Sequence, residues 1–154
     1  MDIAAIGSAI ATRFSSASLT APSGYTTVQK STSKRVWNPG KLPMVVVSWV
    51  GLRDLTYGYG HREGVADFVA TFYYSKAADD EATDAALQAW SDVLVDRLLG
   101  QIQLGEGGTP NEVRGAYVRS VTPGQERLGD AELAVLEIAI EVEFEHDVSG
   151  SLAV

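Results

Sequence analysis

The residues whose type and spacing most invite chemistry lie in LEIAIEVEFEH, residues 136–146, where Leu136, Ile138, Ile140, Val142 and Phe144 alternate with Glu137, Glu141, Glu143 and Glu145. Period two is the period of a β-strand, so the apolar set faces a core and the glutamates face the other way. No basic residue shares the glutamate face of this strand. Glutamates two apart stand about 7 Å from each other. That is within one Debye length of roughly 10 Å at ordinary salt, so they repel. Three uses of such a face stay open. It is a solvated surface that guards against edge pairing; or it receives a basic segment of the same or a second copy; or it lines a passage that a polyanion traverses without sticking, because carboxylates repel phosphate.

Other chemistry has little support in the sequence. There is no G-x-S-x-G elbow, and neither His61 nor His146 has a candidate nucleophile beside it. The absence of cysteine removes disulfides, zinc thiolates and thiol nucleophiles together. Gly58, Gly60 and Gly64 do not have phosphate-loop spacing, and no Lys-Ser/Thr follows them. They suit a sharp hairpin whose Tyr57 and Tyr59 offer flat contact surface. Asp79, Asp80, Glu81 and Asp84 lack the alternating spacing of a calcium loop, and acids at a helix start are favoured by the helix dipole. Trp37, Trp49 and Trp90 are read as core or interface. The expectation is a protein with no catalytic residue, no cofactor and no metal.

Composition sets the frame around these residues. Apolar residues make up 45% and charged residues 21% of the 154, the balance of one folded domain with a sizeable core. No run is long and apolar enough for a membrane span, and Asp2 stands where a signal peptide carries positive charge, so a protein kept inside the cell or built into something larger is expected. The net charge of -8 argues against unaided binding to nucleic acid. Its distribution is uneven: residues 3–53 contain no acid but carry Arg13, Lys30, Lys34, Arg35, Lys41 and Arg53. Complementary surfaces that join copies of the chain, with Lys30, Lys34 and Arg35 among the contacts, would account for the skew; so would chance.

The elements that must position these residues follow from periodicity. Ile3, Ile6, Ile10 and Phe14 predict a helix over residues 3–14. Residues 15–42 read as a long basic loop or arm with a short β-like run at Tyr25 to Val28. PMVVVSWV (43–50) and VADFVATFYY (65–74) predict strands joined by a projecting, glycine-rich hairpin. Leu87, Trp90, Leu94 and Leu98 predict a helix over 79–99, and Gly105 to Thr109 a loop. Ala116 to Thr122 is expected as a short strand, TPGQERLGD as a turn, and 133–145 as the long terminal strand. The sum is an α+β domain, with about four mostly antiparallel strands and two helices on one face.

This order of elements, from the N-terminal amphipathic helix through PMVVVSWV, the hairpin, VADFVATFYY and the second helix to the alternating terminal strand, resembles the tail terminator proteins of long-tailed bacteriophages. The resemblance implies a virion subunit, assembled in the host cytoplasm, that forms a homo-oligomeric ring, a hexamer. Such a ring caps the tail tube protein at the end nearest the head and meets the head-to-tail connector protein, and DNA passes through without specific binding; no membrane is involved. By that likeness Glu137, Glu141, Glu143 and Glu145 are lumen candidates, and Tyr57 and Tyr59 are interface candidates. The alternatives are a head-completion or connector adaptor ring protein, and a small ligand-binding α+β domain.

Overall fold

A computed structural model describes residues 3–16, 19–34, 41–58, 60–76, 79–99 and 113–147. The fold is α+β. In chain order it comprises α1 (Ile3–Arg13), β1 (Lys30–Thr32), β2 (Met44–Gly58), β3 (His61–Ser75), α2 (Asp80–Leu99), β4 (Val113–Leu128) and β5 (Ala131–Asp147). The strands form one sheet in the order β1-β2-β3-β5-β4, antiparallel throughout except for the parallel pair β1 and β2.

Residues directly opposite on neighbouring strands share a face, so the register sorts the side chains. Val45 pairs with Phe72, Phe72 with Leu136, Phe68 with Ile140 and Ala66 with Val142, and all of these are buried. They form the inner face, on which both helices lie. From α1 come Ile6 and Ile10, with Phe14 just past its end, and from α2 Leu87, Trp90 and Leu94, all in one apolar cluster with the sheet. The Trp90 and Phe72 rings stand 4.8 Å apart at the middle of it. Gly7 is buried in α1, where a Cβ would lie 3.4 Å from Phe68 Cε1. A glycine that weakens the helix by itself therefore lets the helix come close to β3.

The second helix begins with a cap. Asp79 Oδ1 accepts from the Glu81 backbone N–H at 2.9 Å, and Lys76 reaches Asp80 at 3.7 Å. The acidic cluster at this position thus serves the helix start, as the dipole favours.

Three expectations are corrected. TPGQERLGD is not a turn: β4 runs through Pro123 and Gly124 to Leu128, and only Gly129 and Asp130 make the connection, with Gly129 at φ +63°. β4 is an edge strand, where a proline interrupts no ladder on its outer side. The β-like run at 25–28 is not a strand; the strand in this segment is β1, at Lys30–Thr32, tied to α1 by Ser31 Oγ donating to the Ala11 carbonyl. The hairpin connection is much shorter than expected. Pairing continues through Arg53, Thr56 and Tyr57 to Gly58 opposite His61, so residues 51–64 belong mostly to two long strands. The loop expected at 105–109 and the side chain of Leu98 lie outside the described residues.

Candidate functional site: the charged face of the sheet

β5 carries no bulge, so its alternation holds along its length, and Glu137, Glu141, Glu143 and Glu145 all point away from the helices as expected. What the alternation does not reveal is the company they keep. Asp67 of β3 stands directly opposite Glu141, and Glu63 of β3 directly opposite Glu145. Like charges so placed destabilise a sheet unless a cation lies between them.

The cations come from the neighbouring strands. Arg53 of β2 donates through Nε to Asp67 Oδ2 at 2.9 Å, and through its two terminal nitrogens to Asp54, at 2.8 Å, and to Glu141 Oε1. The hydrogen bond to Asp67, followed by the nearby charges of Asp67, Glu141 and Asp54, holds the Arg53 guanidinium above its ordinary range despite an opposing desolvation. From the other side of β5, Arg119 Nε donates to Glu141 Oε2 at 2.5 Å. Both oxygens of Glu141 are thus engaged, and its side chain is only 17% exposed. Nearer the hairpin tip, His61 Nε2 lies 3.2 Å from Glu145 Oε1 and 3.5 Å from Glu63 Oε2, while Arg114 contacts Glu145 Oε2.

Local irregularities aim these cations. The register skips a residue between Trp49 and Gly51, which turns Arg53 to the face opposite Trp49, and skips another between Arg53 and Thr56, where Asp54 has φ 54°, a conformation that aspartate tolerates better than most residues. Arg114 and Arg119 both occupy bulge positions of β4, between Val113 and Gly115 and between Val118 and Ser120. Without those bulges strict alternation would turn the two arginines to opposite faces, since 114 and 119 differ by an odd number.

The four glutamates therefore divide. Glu141 and Glu145 belong to ionic rows that run across the sheet. Glu137 and Glu143 are exposed and form no ion pair among the described residues. From Glu137 to the hairpin the face keeps an acidic surplus: Glu63, Asp67, Glu137, Glu141, Glu143 and Glu145 stand against Arg53, Arg114 and Arg119.

The interface candidates are scattered. Tyr57 is 71% exposed near the hairpin tip, and on the same distal part of β2 Trp49, at 53%, Leu52 and Leu55 are exposed too, beyond the reach of the helices. Trp49 pairs with Phe68 and Leu52 with Ala66, so this is the inner face continuing past its helical cover. Lys30 is half-buried in β1, and Lys34 is exposed just after it. Tyr59, Arg35 and Trp37 lie outside the described residues. Sequence reasoning missed Arg53, Asp67, Arg114 and Arg119 as partners of the glutamates. Their outward charges are visible in the chain, but which strands adjoin is not.

A shallow pocket lies at the other end of the sheet, lined by Gly24, Tyr25, Thr26, Leu42, Pro43, Tyr74 and Ser75. Tyr25 and Tyr74 meet edge to face with centroids 6.5 Å apart.

Neither a scan against protein-family models nor a search of curated proteins gives a match. Among solved structures, a chain of the one described as "Virion of native gene transfer agent (GTA) particle" is similar at 22% identity, with a TM-score of 0.41 over 71% of this chain and 75% of that one. A likeness of that size leaves the function to be argued from the residues.

Proposed function

We propose that the protein is a non-enzymatic virion structural subunit that forms a ring, ends the tail tube and joins it to the head connector, with the charged sheet face turned to the DNA passage. The observation that carries this reading is the charged face itself. From Glu137 toward the hairpin it is stiffened by ionic rows from β2 to β4 and still acidic in balance, with Glu137 and Glu143 left to the solvent. A wall of that kind is suited to a polyanion in transit, because it repels phosphate and its own shape is held by cross-strand pairs. The exposed Trp49, Leu52, Leu55 and Tyr57 supply a separate contact surface for a neighbouring subunit or the tube.

The test is to produce particles without this chain. Tail tubes of uncontrolled length and filled heads left unjoined are the expected outcome. Joined particles with tails of normal length contradict the proposal.

A further inference from the structure

At the hairpin end of the charged face, three ligand-type atoms converge: His61 Nε2, Glu63 Oε2 and Glu145 Oε1. We propose that they form a binding site for a divalent cation of the zinc class. The site is independent of the ring function proposed above.

The positions follow from the sheet. His61 and Glu63 are two apart on β3 and share a face, and Glu145 on β5 is directly opposite Glu63. The imidazole nitrogen lies 3.5 Å from one carboxylate and 3.2 Å from the other, and ligand atoms from all three residues lie within 4.8 Å of one another. Two atoms bound to one tetrahedral ion at about 2.1 Å are themselves about 3.4 Å apart. The two His61 separations match that spacing and are longer than a strong hydrogen bond between charged groups, about 2.7–2.9 Å, while the set as a whole, within 4.8 Å, closes around an ion by small side-chain rotations.

A second observation is independent of the three ligands. Each carboxylate has its other oxygen held from outside the cluster: Thr56 Oγ1 donates to Glu63 Oε1 at 3.2 Å, and Arg114 contacts Glu145 Oε2. One oxygen of each is thus fixed by a supporting partner and the other left facing His61. Metal carboxylates are commonly supported in this way, by second partners that orient the ligands.

One imidazole nitrogen and two carboxylate oxygens make a mixed set that favours zinc over the all-oxygen sites of magnesium or calcium. Three ligands among the described residues complete three of the four tetrahedral positions, and the fourth falls to another oxygen or nitrogen donor. Bound there, the cation would relieve the opposed Glu63 and Glu145 charges and tie β3 to β5 next to the hairpin tip. The proposal reverses the sequence-based expectation of no metal, which could not see residue 145 brought beside residues 61 and 63.

The experiment is calorimetric titration of the chelator-treated full chain with zinc chloride, repeated with cobalt(II) to read coordination from its visible absorption. Saturable binding of one ion per chain is expected, with a tetrahedral cobalt spectrum. His61→Ala and Glu63→Gln should each abolish it, Thr56→Val should weaken it about 10-fold as loss of a supporting partner does, and His146→Ala should leave it intact. Circular dichroism confirms that each variant is folded, and Glu63→Gln reads the site if His61→Ala is not. No saturable uptake by the wild-type chain overturns the proposal, and so does uptake that survives both ligand substitutions or is lost with His146.

Discussion

Replacing Glu137 and Glu143 with lysine tests whether the acidic face meets DNA. Both side chains are exposed and outside the ionic rows, so the double variant should fold normally, with stability within about 0.5 kcal/mol of the wild type. The two positions are six residues apart on one strand, about 20 Å, twice the Debye length at ordinary salt, and the substitutions should act independently. Each changes the charge by two, taking the chain from -8 to -8 + 4 = -4. Each lysine within reach of a phosphate steepens the fall of log K with log salt by about 0.9, hence by roughly 1.8 per subunit for the pair. In assembled particles the lysines should hold DNA in the passage and slow its release, and the delay should shrink at high salt. Fluorescent dye entry into released DNA gives the rate directly. Variant particles that release DNA at the wild-type rate at low salt would show that this face does not meet DNA. Glu141 is a poor choice for the same test. A lysine there would face Arg53 and Arg119, and any defect would report the sheet rather than the passage.

Other outcomes follow from particular contacts. Gly64→Ala should destabilise by about 1–3 kcal/mol in denaturant unfolding, because its Cβ would lie 2.7 Å from Leu55 Cδ2, 3.1 Å from the Arg53 carbonyl and 3.2 Å from Phe144 Cζ. Adding Leu55→Ala should recover only part of the loss, since the backbone oxygen stays in place. Burial, and then the neighbouring Tyr25, raise the pKa of the Tyr74 phenol. The folded state therefore keeps a proton that the unfolded chain releases near its ordinary value of about 10, so stability is whole below that pH and falls above it; Tyr74→Phe should flatten the fall in unfolding curves at alkaline pH. Trp49→Ser with Tyr57→Ser should leave the melting temperature nearly unchanged and weaken assembly in sedimentation, as both side chains are largely exposed.

Much of the fold was legible because two periods are plain in the chain. Ile6, Ile10 and Phe14, and then Leu87, Trp90 and Leu94, mark helices, and the alternation after Leu136 marks β5 with its faces the right way round. β4 was misread because Pro123 and Gly124 signal a turn locally, and only its place at the sheet edge makes them harmless. β1 is three polar residues whose strand character comes from pairing with Met44, Val45 and Val46 rather than from its own side chains. The charged site was half legible. The glutamates declare their face through period two, but Arg53, Arg114 and Arg119 reach it through bulges, and bulges carry no sequence signal here. The outward face is also less uniformly polar than alternation implies, since Leu133 and Val135, in the same register as the glutamates, are buried.

Assembly into a ring that ends a tail tube is what the proposed function requires of the protein. Negative-stain electron microscopy of the purified protein, alone at high concentration and then mixed with tail tubes, tests it most directly. Rings with an open centre, or tubes capped at one end only, are the expected result. A protein that stays monomeric at high concentration and leaves both tube ends bare would contradict it.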